Sequence, residues 1–128
     1  MPARIVVVHD HTDLADRIAN GLRASGYEAS SFADPMAALT ALETPEPIAV
    51  LVTRVRYPTG KPNGIALALM ARRKRPDMRV LFVALPEYEL NAAGLGEFIS
   101  MPVEVSDVVA AVDRMLMSDG SHGPPEAA

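Results

Sequence analysis

Short runs of apolar, mostly β-branched residues alternate along this chain with stretches in which apolar residues recur at helical spacing. The first run, residues 5–8, is continuously apolar, as expected for a strand covered on both faces. In the next stretch Leu14, Ile18 and Leu22 recur every four residues, which predicts an amphipathic helix. The alternation continues to residue 117. It predicts strands at residues 5–8, 27–32, 48–53, 80–84 and 96–100, and helices after each of them.

Residues that favour the start or the end of a helix support these boundaries. Thr12 or Asp13 can cap the first helix, and Gly26 is placed to end it. Asp34 followed by Pro35 predicts the start of the second helix, because an N-cap acid and a proline at the first helical position both favour helix initiation. The remaining helices are predicted at residues 36–42, 65–75, 86–93 and 105–117.

Five strands that alternate with helices require right-handed crossovers and a parallel sheet. The strand order 2-1-3-4-5 of flavodoxin-like α/β folds is the expected arrangement. In such a sheet the functional crevice lies outside the carboxyl ends of strands 1, 3 and 4. The residues at those ends are 9–11, 53–56 and 84–85.

Composition narrows the class of protein. The chain has 128 residues with a formal net charge of −4 and no cysteine, which suits one domain, residues 1–117, without disulfides or thiol chemistry. Residues 118–128 are rich in Gly, Ser, Pro and Ala, and we expect a disordered tail. The acidic balance argues against nucleic-acid binding, and the basic run at residues 72–75 is expected to be a solvated helix end that complements the helix dipole. The apolar run at residues 5–8 is too short for a signal peptide or a membrane span, so we expect a cytoplasmic protein.

Three segments together resemble the response-regulator receiver domain (CheY-like): residues 4–11, 50–75 and 94–102. The resemblance implies a flavodoxin-like fold and a role in two-component signalling. It also implies a set of reactive groups: two acids after strand 1, a phosphoryl-acceptor Asp after strand 3, a Ser or Thr after strand 4 and a Lys before a Pro after strand 5. The acids of such a domain hold Mg²⁺, a hard cation that prefers oxygen ligands.

The chain departs from that pattern at most of the reactive positions. The acidic pair falls on His9 and Asp10, so one acid remains, and the acceptor falls on Arg54. A guanidinium is permanently charged and cannot accept a phosphoryl group. Arg56 follows the same strand end and is included in this degenerate pocket. The resemblance therefore implies a pseudo-receiver that is not an enzyme.

The other two reactive positions have changed as well. Ala84 stands where the resemblance implies a Ser or Thr, and Met101 stands where it implies a Lys. Pro102 remains, at a place where the family often has a cis peptide bond. Phe98 matches the aromatic that changes rotamer on activation. The chain thus keeps the Pro and the aromatic residue of the pattern but lacks the hydroxyl and the Lys that the resemblance implies.

Arg54 and Asp10 are predicted to form an ion pair at adjacent strand ends, which would neutralise the pocket and leave Mg²⁺ binding lost or weak. The alternative is that Arg54 points into solvent. His9 and His11 could share a face and bind a metal, but a third ligand would have to come from His122, so no metal site and no cofactor is expected. Thr53 is the nearest hydroxyl that could replace the acceptor, although strand alternation directs it away from Arg54.

Two further departures concern the surface. The segment between Ala84 and Gly94 is short for the family, so the fourth helix is expected to have one or two turns, while the loop at residues 58–64 is long. We expect a phosphorylation-independent interaction with a histidine kinase or another signalling protein, with a homodimer through helix 4, strand 5 and helix 5 as a further prediction. The alternatives are a receiver phosphorylated at a non-standard residue and a small-ligand-binding flavodoxin-like domain, although no Gly-rich phosphate loop follows strand 1.

Overall fold

The computed structural model describes residues 3–57 and 63–117. The predicted tail, residues 118–128, and most of the long loop, residues 58–62, lie outside the described residues. The strands are β1 (Arg4–Val8), β2 (Glu28–Phe32), β3 (Val50–Thr53), β4 (Arg79–Ala84) and β5 (Glu97–Ser100). The helices are α1 (Thr12–Ala24), α2 (Pro35–Leu42), α3 (Gly64–Lys74), α4 (Glu89–Ala92) and α5 (Val105–Met117), with a 3₁₀ turn at Pro86–Tyr88 before α4.

The five strands form one parallel sheet in the order β2-β1-β3-β4-β5, which confirms the predicted α/β architecture and strand order. β1 is an interior strand that pairs with β2 on one side and β3 on the other, so that Val8 lies opposite both Phe32 and Thr53. The register brings the carboxyl ends of β1 and β3 side by side. The residues that follow these two strands are therefore neighbours in space.

Two apolar cores cover the two faces of the sheet, and the alternation of β1 divides its residues between them. Ile5 and Val7 belong to the core beneath α1 and α5, whereas Val6 and Val8 belong to the core beneath α2 and α3. All four side chains are almost completely buried. Each contributes roughly 1.5–3 kcal/mol of transfer free energy, which explains why this strand is continuously apolar.

The helix ends match the sequence in part. Gly26 adopts a positive φ of 99° directly after α1, as predicted for a residue that ends a helix. The N-cap of α1 is His11, and neither Thr12 nor Asp13 holds that position. The reason is that the chain turns out of β1 within three residues, so the helix begins one residue earlier than the capping preference suggested.

The basic run at the end of α3 is more than a solvated helix end. The Arg75 side chain donates hydrogen bonds to the backbone carbonyls of Leu42, Thr44 and Glu46. These carbonyls lie at and beyond the last turn of α2, where they have no partner within the helix. Arg75 therefore ties α3 to the loop that leads into β3.

The fourth helix is short, as predicted: a 3₁₀ turn and four α-helical residues connect β4 to β5. Leu90 on this helix is 88% exposed. In the part of the chain that the structure describes, no helix has the length and apolar character needed to cross a bilayer.

Candidate functional site at the carboxyl end of the sheet

An ion pair joins the ends of β1 and β3. The Arg54 guanidinium Nη1 lies 2.6 Å from the Asp10 carboxylate Oδ1, and the two side chains are 17% and 25% exposed. The predicted pair is confirmed, and the alternative of an Arg54 that points into solvent is wrong. A charge-assisted contact of this length in a partly desolvated site is among the stronger polar interactions in proteins.

The ion pair fixes the charge of Asp10. Partial burial alone would raise the pKa of this carboxyl, but the hydrogen bond and the positive charge of Arg54 outweigh it and hold the pKa below its ordinary value. Asp10 is therefore ionised at neutral pH. One cation and one anion offset each other at the mouth of the site.

His9 is buried directly beneath this pair, with 1% of its surface exposed. Its Nδ1 accepts a hydrogen bond from the backbone N–H of His11 at 3.2 Å. The pKa of His9 is lowered to about 4, chiefly by burial and next by the positive charge of Arg54, while the charge of Asp10 opposes this shift. The imidazole is consequently neutral at physiological pH and works as a backbone acceptor at the start of α1.

The two imidazoles do not assemble a metal centre with other side chains of the described region. Their ring centroids are 5.1 Å apart and tilted. Among residues 3–57 and 63–117, no group of three or more His, Cys, Asp or Glu side chains has the geometry to hold a metal ion. His122, the third ligand that the sequence could offer, lies outside the described residues.

Tyr57 is the functional-site residue that sequence reasoning missed. Its hydroxyl donates to the carbonyl of Val8 at 2.8 Å, accepts from the backbone N–H of Arg54 at 3.2 Å and shares a 2.7 Å hydrogen bond with the Thr53 hydroxyl. Burial raises the pKa of Tyr57 to about 12, although the Thr53 contact opposes that rise. The phenol thus joins the ends of β1 and β3 from below and supports the backbone of Arg54.

Thr53 is enclosed by this network. It has 0% exposed surface, and its hydroxyl also contacts the carbonyl of Arg54 at 2.9 Å. A hydroxyl that must attack a phosphorus atom needs an open approach. The contacts of Thr53 leave it none in this conformation.

The start of α3 packs closely against Arg54. A Cβ added to Gly64 would lie 1.6 Å from the Arg54 carbonyl oxygen, so only glycine fits there without a backbone shift. The amide of Gly64 donates to the carbonyl of Val55 at 2.8 Å, and Asn63 caps α3 by accepting from the amide of Ala66 at 2.7 Å. Together these contacts hold the segment that carries Arg54. Arg56, by contrast, is exposed.

The remaining predicted positions gather at the ends of β4 and β5. Ala84 is buried, and its carbonyl accepts a hydrogen bond from the backbone N–H of Met101 at 2.7 Å. The Met101–Pro102 peptide bond is cis, as the resemblance implied. Phe98 is half-buried against the core beneath α2 and α3, opposite Phe82 on β4. The structure thus joins Ala84 to Met101 through the backbone.

Comparison with solved structures identifies the fold. A receiver domain protein (CheY-like) from Methanospirillum hungatei superposes with a TM-score of 0.81 at 24% identity, over 96% of this chain and 100% of that one. A response regulator receiver protein from Sinorhizobium medicae gives a TM-score of 0.80 at 20% identity, over 91% and 96% of the two chains. The BeF3-activated DrrB receiver domain gives 0.77 at 22% identity, over 91% and 98%.

No family model matches the sequence, and comparison with curated proteins likewise finds no match. The similarity to receiver domains is therefore found by comparison of three-dimensional structures. Strand order, helix placement and the cis peptide before Pro102 agree with the sequence-based resemblance. The chain has the fold of the CheY-like receiver domains of response regulators.

Proposed function

We propose that this protein is a receiver-like module of two-component signal transduction that works by binding another signalling protein and is not phosphorylated. One observation carries the proposal. At the end of β3, where the resemblance implies the acceptor Asp, a guanidinium lies 2.6 Å from the Asp10 carboxylate. Similarity to receiver domains supports the pathway, and the chemistry of Arg54 supports the mode of action.

Phosphorylation requires a nucleophile at this position. The Arg54 side chain has no nucleophilic lone pair and no accessible neutral form. Thr53, the neighbouring hydroxyl, is fully buried and hydrogen-bonded. Both features disfavour the alternative of phosphorylation at a non-standard residue of this strand end.

The donor set of the pocket does not fit Mg²⁺. A Mg²⁺ ion takes oxygen ligands in near-octahedral geometry and is usually held through one or two carboxylates. The pocket offers the Asp10 carboxylate, and Arg54 already binds one of its oxygens. The second acidic position is His9, which is buried and uses Nδ1 for the backbone of His11. A cation entering the pocket would also meet the charge of Arg54, so we propose that the module works without a bound metal.

Because the charges in the pocket are paired without a bound cation, we expect the surface around the pocket to keep one conformation. In a receiver with several carboxylates, charge repulsion is relieved only when a cation binds, whereas here Arg54 offsets Asp10 permanently. We propose that this cytoplasmic module presents one conformation to a histidine kinase or a related signalling protein. The exposed Leu90 of α4, beside the half-buried edge strand β5, is the proposed contact and the proposed homodimer surface.

The test of the mode of action is intact-mass spectrometry of the full chain after incubation with acetyl phosphate and Mg²⁺. We expect no phosphoryl adduct. An adduct, located by peptide mapping to any residue at the carboxyl end of the sheet, would disprove a phosphorylation-independent mechanism. The Arg54→Asp variant is the matched comparison, since it restores a carboxylate beside Asp10 and should gain Mg²⁺-dependent shifts in its NMR spectrum that the natural chain lacks.

The interaction itself is tested with purified phosphotransfer domains of histidine kinases, by calorimetric titration against the unmodified chain. Leu90→Glu should abolish the binding that the natural chain shows. Met36→Glu is the matched control, because Met36 is also exposed, at 52%, but lies on α2. If both variants bind as the natural chain does, the proposed contact surface is wrong.

A further inference from the structure

A cavity of about 570 Å³ opens at the amino-terminal edge of the sheet, opposite Arg54 and Asp10. Its volume falls within the roughly 300–1,000 Å³ typical of small-molecule sites. The residues around it come from the starts of β1 and β4, the segment before β3, the end of α3 and the end of α5. Its apolar members include Pro47, Ile48, Pro76, Met78 and Leu116.

The charged side chains around this cavity are mostly positive. Four cationic side chains and one carboxylate, Asp77, line it. Two of the cations are already engaged: Arg4 forms ion pairs with Glu28 at 2.8 Å and with Glu46 at 3.2 Å, and Arg75 binds three backbone carbonyls.

The other two cations, Lys74 and Arg79, have no ion pair or side-chain hydrogen bond with any residue in the described part of the chain. Lys74 lies at the last turn of α3 and Arg79 begins β4, so they approach the cavity from different elements. An apolar wall with two unengaged cations is complementary to a molecule that has an apolar body and an anionic head. Burial of the body supplies affinity, and the cations orient the head.

We infer that this cavity binds a small amphiphile with one anionic head, such as a medium-chain carboxylate. The head lies between Lys74 and Arg79, and the hydrocarbon body lies along Ile48, Met78 and Leu116. The site is separate from the Arg54 pocket and does not depend on the proposed signalling role. It also gives the small-ligand interpretation of the sequence a definite location.

The probe is sodium octanoate, titrated into the full ¹⁵N-labelled chain and followed by two-dimensional NMR. We expect saturable shifts of the amides around the cavity, at Ile48, Ala49, Asp77, Met78, Arg79 and Leu116. Octanol supplies the body without the charge, acetate supplies the head without the body, and octylamine reverses the charge. Each of these three should bind more weakly than octanoate. Shifts that are scattered over the surface, or equal for octanoate and octanol, overturn the proposal.

Charge reversal at neighbouring positions separates a site from general attraction. Lys74→Glu should weaken octanoate binding by about fivefold or more, as expected for the loss of an exposed ionic contact and the gain of a repulsive one. Arg73→Glu makes the same change in net charge one residue away, at an exposed position that does not line the cavity, and should leave binding near that of the natural chain. Equal weakening by both variants overturns the proposal. Acetyl phosphate labelling is a separate readout, so this proposal and the signalling proposal can fail independently.

Discussion

The two ends of the sheet use charge in opposite ways. At the carboxyl end, Arg54 is 17% exposed and bound to Asp10, above a buried network centred on Tyr57. At the amino end, Lys74 and Arg79 border an open cavity without a partner among the described residues. The opposite charges at the carboxyl end are therefore paired with each other, although Arg54 Nε and His9 Nε2 are buried without a hydrogen-bond partner among the described residues. The proposed anion site lies at the other end.

The difference has a structural cause. Parallel pairing brings the ends of β1 and β3 together, so a cation after β3 necessarily meets an acid after β1. No such strand pairing places an acid beside Lys74, and the nearby Glu46 already pairs with Arg4. The positive charge of Arg54 at this edge of the sheet is therefore compensated by Asp10.

The largest expected effect concerns the pH dependence that His9 gives to the carboxyl end. The folded protein holds this imidazole neutral with a pKa of about 4, against an ordinary value of 6.5, so the unfolded chain binds more protons between these pH values. The free energy of unfolding should therefore fall as the pH drops from 6.5 to 4, by up to about 3 kcal/mol. Urea unfolding at a series of pH values measures it.

His9→Asn keeps an acceptor for the amide of His11 but removes the titrating group. Its stability should change less with pH over the same interval. Parallel curves for the natural chain and the variant would contradict the account of His9, as would NMR titration of its ring with a midpoint near 6.5.

A smaller difference in stability between the two ends of the sheet can be measured by removing one tyrosine hydroxyl at each end. Tyr57→Phe removes a buried hydroxyl that serves two strand ends and should lower the free energy of unfolding by about 2 kcal/mol. Tyr27→Phe is the control at the amino end of β2, where the hydroxyl donates to the Asp113 carboxylate. That carboxylate can be rehydrated more easily, so we expect a loss below about 1 kcal/mol. Chemical denaturation of both variants measures the difference, and equal losses would show that the buried network adds nothing special.

The smallest effect compares an ion pair from each end. A double-mutant cycle on Arg54 and Asp10 should give a coupling energy of about 1–2 kcal/mol, because the pair is short and partly desolvated. The same cycle on Arg4 and Glu28, whose side chains are 35% and 45% exposed, should give less than about 0.5 kcal/mol. A larger coupling at the amino end would reverse the comparison.

Acid should weaken the ion pair between Arg54 and Asp10, and the direction of this effect follows from the lowered pKa of Asp10. The folded-state pKa of Asp10 is lowered, so its contribution to stability is present above its ordinary pKa and is lost as the pH falls through the lowered value. The coupling between Arg54 and Asp10 should accordingly disappear in strong acid.

Much of this site could be predicted from the sequence because strand periodicity fixes where each strand ends. The positions of His9, Asp10 and Arg54 followed from the apolar runs before them, and opposite charges at neighbouring strand ends implied the ion pair. The roles of these residues in signalling stay predictions, since the fold alone does not decide them.

Tyr57 and the amino-end cavity could not be predicted in the same way. Tyr57 lies in an irregular segment, where no periodicity indicates the direction of a side chain, and its hydroxyl meets Val8, which is 49 residues away along the chain. The sequence shows that aromatic residues are scarce, but this scarcity does not indicate where Tyr57 lies in the fold. The basic run was visible in the sequence, but which of its members were engaged was not.

The sequence by itself determined the five-stranded parallel architecture, the shortened fourth helix and the opposite charges of Asp10 and Arg54 at neighbouring strand ends. Local rules govern these features: side-chain period, turn residues and the chemistry of a single residue type. Only the tertiary structure decided that Arg75 binds backbone carbonyls, while Lys74 beside it has no partner among residues 3–57 and 63–117. That distinction depends on which distant backbone reaches each side chain, and long-range packing, rather than residue type, sets that distance.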